Sequence, residues 1–106
     1  MAYRAKEKKR PTYDLEAIKL ALGSVETLAM TSSALRDAIT LGFDRNSIAE
    51  TIVGIDRRMF YKPMTTFADH RVWQDVYHLP TRGMMLYVKF QADVITEFTV
   101  RSFKEK

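Results

Sequence analysis

An α+β fold is predicted for this chain of 106 residues, with N-terminal helices packed on one face of a mostly antiparallel sheet. Three observations predict it. Apolar residues recur at helical spacing as far as Gly54. After Asp56 the spacing changes to the alternation that is typical of strands. Short turn sequences join the later segments, which favours antiparallel neighbours. The length suits a single domain.

Three helices are expected before Asp56. The first covers residues 14–22, with Thr12 or Asp14 as N-cap, Gly23 as C-cap and an inner side of Leu15, Ile18, Ala21 and Leu22. The second starts at Ser32 or Ser33, runs through Thr40 and ends at Gly42, with an inner side of Ala34, Leu35, Ala38 and Ile39. The third covers residues 46–53 between the cap Asp44 and Gly54, with Ile48, Ala49 and Ile52 on one side. Residues 24–27 are expected to form a turn or a brief strand.

Four strands are expected at residues 59–65, 72–78, 84–95 and 98–103, with a turn at residues 80–83. In the third strand Leu86, Val88, Phe90 and Ala92 are predicted to face the core, and Tyr87, Lys89 and Gln91 the open side. In the last strand the alternation groups Phe98, Val100 and Ser102 against Thr99, Arg101 and Phe103. Lys62 is expected to face outward, because burying an unpaired lysine is costly.

The positive charge of the chain is concentrated at its start. The net charge is +4, and residues 1–10 hold five basic side chains and one acidic one. The remaining residues balance 12 basic against 12 acidic side chains. Residues 1–11 are therefore predicted to form a basic flexible arm and residues 12–106 the folded domain. Such an arm attracts a polyanion through its long-range field, or it serves only as a solubilising tail.

Composition excludes several classes of protein. The chain has no cysteine, which excludes a disulfide scaffold, a thiol nucleophile and a cysteine-ligated metal site. No apolar run approaches the roughly 20 residues that span a bilayer, and no apolar segment follows the basic start as in a secretory signal. We expect a cytoplasmic protein without membrane association. Asp69, His70 and Asp75 lack the spacing of a metal site, so neither a metal nor another cofactor is expected.

An open sheet face with these strands would present Lys62, Gln74, Tyr87 and Arg101 together. This set of side chains suits a metal-independent ribonuclease, because RNA supplies its own nucleophile, the 2′-hydroxyl. The protein then has to move protons and stabilise charge on the phosphate. Neighbouring cations such as Lys89 and Arg101 are expected to lower the pKa of both the tyrosine and the lysine, and burial to lower that of the lysine further. Gln74 can donate to a phosphate oxygen without changing charge.

The stretch from Phe60 to Tyr77 and the ending from Val100 to Lys106 resemble the MqsR family of bacterial toxins. The resemblance implies a RelE-like fold, a toxin ribonuclease that cuts single-stranded messenger RNA, and a co-expressed antitoxin that contains zinc and binds DNA. It also implies that Lys62, Gln74 and Tyr87 are catalytic, since these residues match the family's motif. The chain departs from the family in a longer basic start and in a slightly longer segment between Lys89 and Phe103.

Other residues of the same region allow more than one interpretation. Lys89, Arg101 and His70 are candidate RNA contacts, although His70 alternatively orders the loop of residues 68–71 through Asp69 or the backbone. Trp73 is expected to pack in the core or the sheet. His78 is expected to be exposed beside the turn. The competing function is a non-catalytic RNA-binding or transcriptional co-regulator module that uses the same face, and only the enzyme would cut RNA in EDTA.

Deletion of residues 1–10 should weaken RNA binding modestly and flatten its salt dependence without stopping cleavage. Each lost phosphate contact should reduce the log–log salt slope by about 0.7 on single-stranded RNA. Binding titrations at several salt concentrations measure that slope, and an unchanged slope would show that the arm is a solubilising tail.

Overall fold

The computed structural model describes residues 9–106, so most of the basic arm lies outside the described residues. Helices come first and strands follow, which confirms the α+β prediction. The helices are α1 (Leu15–Leu22), α2 (Ser32–Thr40) and α3 (Arg45–Val53), followed by a 3-10 turn at Arg57–Met59. The strands are β1 (Phe60–Thr65), β2 (Trp73–Thr81), β3 (Met84–Asp93) and β4 (Glu97–Glu105). They form one antiparallel sheet in the order β1-β2-β3-β4.

Side-chain caps fix where two of the helices begin. The carboxylate of Asp44 accepts from the backbone N–H of Ser47 at 2.8 Å, and the Ser47 hydroxyl accepts in return from the backbone of Asp44 at 2.9 Å. This reciprocal pair confirms the predicted cap of α3. At α2 the cap is Thr31, whose hydroxyl accepts from the N–H of Ala34, so the predicted caps Ser32 and Ser33 lie inside the first turn instead.

The helices cover one face of the sheet and form the core with it. The buried residues of the helices are Leu15, Ile18, Leu22, Ala34, Ala38, Ile48 and Ile52. Those of the sheet are Tyr77, Leu79, Leu86, Val88, Phe90, Phe98, Val100 and Phe103. Ile39 is 57% exposed, which contradicts its predicted inward position, because it lies about 100° around the helix from Ala38. Among residues 9–106, no helix has the length and apolar character needed to cross a bilayer.

The central pair of strands has an uninterrupted register from Gln74 opposite Gln91 to Thr81 opposite Met84. The connecting turn is only Arg82 and Gly83, with φ of 52° and 74°, as in the tight hairpin turns that match strand twist. The predicted turn of four residues was therefore too long. The Arg82 guanidinium lies 4.0 Å from the Phe43 ring centroid and donates to the carbonyl of Gly42 at 3.0 Å, which ties the turn to the helical layer.

The outer strands each contain an irregularity. In β1 the register shifts between Phe60 and Lys62, which leaves Tyr61 as an extra residue. In β4 Lys89 pairs with Ser102 and Phe90 with Val100, which leaves Arg101 extra. Because a bulge changes the alternation, Val100 and Phe103 are both buried. The predicted grouping of Phe103 with Arg101, and of Ser102 with the core residues, was wrong for this reason.

The ends of the strands differ in smaller ways from the predicted ones. Met59 belongs to the 3-10 turn, so β1 starts one residue later. Residues 94–96 form a turn before Glu97, whose φ is +69°, so β3 stops at Asp93. Ala92, which precedes that turn, was predicted to face the core. It is exposed, so that prediction was wrong.

The two edges of the sheet are protected in different ways. Along β4 the segment Ala29–Thr31 makes backbone hydrogen bonds with Val100, at 2.9 Å and 3.0 Å. Along β1 the edge includes Pro63, which has no N–H to offer a further strand. Both devices reduce the tendency of an edge to pair with another chain.

The carboxylate of Asp75 joins the start of the folded domain to the middle of the sheet. Its two oxygens accept from the backbone N–H groups of Thr12 at 2.9 Å and Tyr13 at 2.8 Å. Asp75 is fully buried, and the Tyr13 hydroxyl donates to the carbonyl of the adjacent Trp73. We call this set of hydrogen bonds from Thr12 and Tyr13 to Asp75 the Asp75 clamp. It lies on the helical side of β2, directly before α1 in the chain.

Replacement of Asp75 by Ala should lower the free energy of unfolding by about 1–3 kcal/mol, because two backbone N–H groups lose a charged acceptor. Urea unfolding followed by circular dichroism measures this change. The matched control is Asp37→Ala on the exposed side of α2, which should change stability by no more than about 0.5 kcal/mol. Equal effects of the two substitutions would contradict the conclusion that the Asp75 clamp stabilises the fold.

Candidate active site

The face of the sheet that is turned away from the helices is called the open face here. Its side chains form three rows across the strands. Row one is His78, Tyr87 and Lys104. Row two is Lys62, Val76, Lys89 and Ser102. Row three is Met64, Gln74, Gln91 and Thr99. Successive rows are two residues apart along each strand, or about 7 Å. Val76 is fully buried at the centre of the face, beneath the longer side chains around it.

Lys62 lies in row two, immediately after the bulge of β1. It pairs with Val76, and its side chain is exposed, so the predicted outward orientation is confirmed. The Nζ atom lies 5.3 Å from the centroid of the Tyr61 ring. A lysine at the edge of the sheet can thus place its charge over the centre of the open face or over the ring beside it.

Gln74 is fixed in row three by a hydrogen bond to its cross-strand partner. Its Nε2 atom donates to Oε1 of Gln91 at 2.8 Å. Gln74 is only 6% exposed, so it lies deeper in the face than an ordinary surface residue. The pair holds a neutral amide in one orientation, which is the arrangement needed to direct a hydrogen bond at a ligand without introducing charge.

Tyr87 joins the three rows. It stands in row one opposite His78, and its hydroxyl donates to the sulfur of Met64 in row three at 3.8 Å. Met64 is in turn the cross-strand partner of Gln74. The structure therefore brings Lys62, Gln74 and Tyr87 to the same face, gathered around Met64.

The ionisation of Tyr87 differs from the expectation. Burial raises the pKa of its phenol, and the neighbouring Tyr61 raises it further. The predicted lowering by Lys89 and Arg101 was wrong, because the loss of hydration disfavours the phenolate. Tyr87 is consequently a protonated group at neutral pH and acts as a donor.

Cations surround the same rows from the β4 side. Burial lowers the pKa of Lys89, and the charges of Lys104 and Arg101 lower it further. Nζ of Lys104 lies 5.5 Å from the centroid of the Tyr87 ring. Arg101 is exposed at the bulge of β4. The three side chains give the open face an electropositive border.

His70 lies apart from this cluster, in the loop between β1 and β2, and is exposed. The loop is ordered by Asp69 rather than by His70. The Asp69 carboxylate accepts from the backbone and side chain of Arg71, and its own N–H and carbonyl bond to the hydroxyl of Thr66. Of the six predicted site residues, His70 is the one that lies outside the sheet, and Arg101 borders the rows at the bulge of β4.

His78 and Tyr61 are the residues of the open face that sequence reasoning missed. Their rings stack, with centroids 4.0 Å apart and planes 20° apart. His78 was predicted to be exposed, but it is half-buried. Its ring centroid lies 5.9 Å from that of Tyr87. Burial, followed by the charge of Lys106, lowers the pKa of His78. In the sequence, the alternation of β2 places His78 on the same side as Gln74 and Val76, which was a signal that it belongs to the open face. The bulge that turns Tyr61 toward His78 has no sequence signature.

Elsewhere in residues 9–106, no group of three histidine, cysteine or acidic side chains is arranged to hold a metal ion. A cavity of about 340 Å³ lies between α3 and the β2–β3 hairpin, lined among others by Glu50, Thr51 and Arg82. It contains none of the predicted site residues. The predicted site residues therefore lie outside that cavity.

Comparison with known proteins gives two matches over nearly the whole chain. The family described as "Motility quorum-sensing regulator, toxin of MqsA" matches residues 10–105. The chain is also 39% identical over 102 residues to the mRNA interferase toxin MqsR of Escherichia coli (strain K12). That alignment covers 94% of this chain and 99% of the relative. The matched part includes every helix and strand of the fold.

The raised pKa of Tyr87 can be measured by NMR on protein with isotope-labelled tyrosine rings, whose chemical shifts follow ionisation. The Tyr87→Phe spectrum identifies the signal. We expect its midpoint above the ordinary value of 10.0, while the signal of Tyr77, whose pKa burial raises to about 12, serves as a buried reference in the same sample. A midpoint below 10.0 would contradict the conclusion that burial dominates the ionisation of Tyr87.

Proposed function

Because the chain belongs to the motility quorum-sensing regulator (MqsR) family of toxins, we propose that its open face is the active site of a messenger-RNA endoribonuclease. The protein is a toxin of this family and an mRNA interferase. The observation that carries the site proposal is the gathering of Lys62, Gln74 and Tyr87 on one partly desolvated face. These are the residues that the family resemblance selects, and they come from three different strands.

The reaction is an attack of the RNA 2′-hydroxyl on the neighbouring phosphate. The P–O5′ bond breaks and leaves a 2′,3′-cyclic phosphate and a 5′-hydroxyl end. Because RNA brings its own nucleophile, the protein needs to supply charge stabilisation and proton transfer, and the proposed reaction is metal-independent. The cationic Lys62 neutralises the charge that develops on the phosphate oxygens, and Lys89 with Arg101 holds the adjoining backbone.

Tyr87 and Gln74 have different tasks. Tyr87 is protonated at neutral pH, as burial only raises its pKa above the ordinary value of 10.0, so its hydroxyl can give a proton to the leaving 5′-oxygen. Gln74, aligned by Gln91, orients a base or a phosphate oxygen through an uncharged hydrogen bond. The RNA is single-stranded at the cut, since bases can be read in this way only when they are unstacked. Phe67, fully exposed at the tip of the β1–β2 loop near His70, offers a ring on which such a base can stack.

A toxin of this family has an antitoxin partner. We propose that this partner is a zinc-containing protein that binds DNA, as the family resemblance implies, and that both act in the cytoplasm, where the messenger RNA is translated. The competing function is a non-catalytic RNA-binding or co-regulator module. The placement of Lys62, Gln74 and Tyr87 on one partly buried face favours the enzyme, because metal-independent cleavage needs a charge-stabilising group beside a proton donor.

The function is tested by incubating purified protein with end-labelled single-stranded RNA in EDTA. Cleavage with cyclic phosphate ends is expected. Binding without cleavage would instead support the non-catalytic module, and cleavage that EDTA abolishes would contradict the metal-independent reaction.

In the same assay Lys62→Ala should reduce the rate about 10²–10³-fold, because one charge-stabilising group is lost. The matched control is Arg36→Ala, which removes an exposed cation from α2 in the helical layer and should cut RNA at the wild-type rate. Circular dichroism verifies that both variants are folded. A Lys62→Ala variant that is folded and fully active would overturn the assignment of this residue.

A further inference from the structure

We propose that His78 is the general base that takes the proton from the attacking 2′-hydroxyl, an inference that rests on the proposed ribonuclease function. The placement of the ring carries it. His78 is the direct cross-strand partner of Tyr87, and its ring lies flat against Tyr61 at 4.0 Å. The stack fixes the plane of the imidazole on the open face.

The ring nitrogens of His78 have no partner. Within residues 9–106 neither nitrogen makes a hydrogen bond, although the residue is half-buried. Among the described residues no side-chain nitrogen without a hydrogen-bond partner is fully buried, so a substrate hydroxyl can reach the ring nitrogens of His78. The hydroxyl of the cross-strand neighbour Tyr87 points at Met64 instead of at His78.

None of the three proposed catalytic residues Lys62, Gln74 and Tyr87 is suited to act as the base. Lys62 carries only donors when it is charged, Gln74 does not titrate, and Tyr87 is held in its protonated form. The carboxylate of Asp75 belongs to the same strand but faces the helices, where both oxygens are engaged. Lys89 in row two is the competing candidate, since its neutral form is favoured by burial and by two cations.

Each element packed around His78 contributes a group that affects its charge. Tyr61 lies on the β1 side, Tyr87 on the β3 side, and Lys104 and Lys106 at the end of the chain. Burial and the charge of Lys106 oppose the imidazolium, and no carboxylate among the described residues forms an ion pair with the ring. The neutral, proton-accepting form is therefore present at neutral pH, and it is lost when the pH falls below the lowered pKa.

The step balances without a further reactant. The 2′-hydroxyl proton passes to a ring nitrogen of His78 while the 2′-oxygen forms a bond to phosphorus. The P–O5′ bond breaks, its electron pair stays on the 5′-oxygen, and Tyr87 donates the proton that this oxygen needs. Solvent then returns His78 and Tyr87 to their starting states. Base and acid are direct neighbours in row one, on either side of the same phosphate.

The test is the pH dependence of single-turnover RNA cleavage by the full chain. Wild type should lose activity on the acid side with a midpoint below 6.5, the ordinary value for histidine. His78→Ala should fall about 10²–10⁴-fold and lose that acid limb, with RNA affinity retained. His78→Phe keeps a ring for Tyr61 and should be equally slow, which separates lost stacking from lost proton transfer. Added imidazole should partly rescue His78→Ala but not His78→Phe.

The other histidine supplies the control. The chain has only two histidines. The His70→Ala variant should therefore keep the acid limb of the pH–rate profile, whatever its RNA affinity. A phosphodiester with an activated leaving group should restore Tyr87→Phe, which lacks the acid, and leave His78→Ala slow. The proposal is overturned if the acid limb survives in folded His78→Ala or disappears in Lys89→Ala. If wild type cuts no RNA at any pH, the proposed function itself fails, which is a different result.

Discussion

The buried carboxylate of Asp75 is the interaction on which the two sides of this domain depend. It holds the backbone of Thr12 and Tyr13 and so starts α1 against the middle of β2. Side chains alternate along a strand, so anchoring residue 75 on the helical side sends Gln74 and Val76 to the open face. A shift of the register by one residue would exchange the two sets and expose Tyr77 and Leu79, which are core residues. The same contact thus stabilises the fold and positions the candidate active site.

Sequence reasoning succeeded where the backbone is regular. The unbroken β3 let Leu86, Val88 and Phe90 be separated from Tyr87 and Lys89, and the caps and glycines located the helices to within a residue or two. It failed at the irregularities. The bulge at Arg101 moved Phe103 into the core, and the bulge at Tyr61 covered His78. Bulges depend on how two strands match in length and twist, which is a tertiary property that local sequence does not encode.

The ionisation states of the site also depended on tertiary structure. From the sequence, nearby cations were expected to dominate, and they would have lowered the pKa of Tyr87. Burial dominates instead at Tyr87, Lys89 and His78, and in each case it favours the neutral form. The open face is therefore less hydrated than an ordinary outer sheet surface, as the complete burial of Val76 at its centre indicates. In such an environment electrostatic interactions with a bound phosphate are stronger than in water.

The three rows divide the chemistry of the face along its length. Row three, with the Gln74–Gln91 pair, holds no titratable side chain and is suited to orientation. Row one, with His78 and Tyr87, is suited to the movement of protons. Row two lies between them and carries Lys62 from one side and Lys89 from the other. A phosphate bound between His78 and Tyr87 would have Lys62 and Lys89 in the next row along the strands, and the neutral amide of Gln74 one row further. The polarity of the RNA strand across the sheet would then be set by the order of His78 and Tyr87 within row one, because only one direction places the 2′-hydroxyl beside His78 and the 5′-oxygen beside Tyr87.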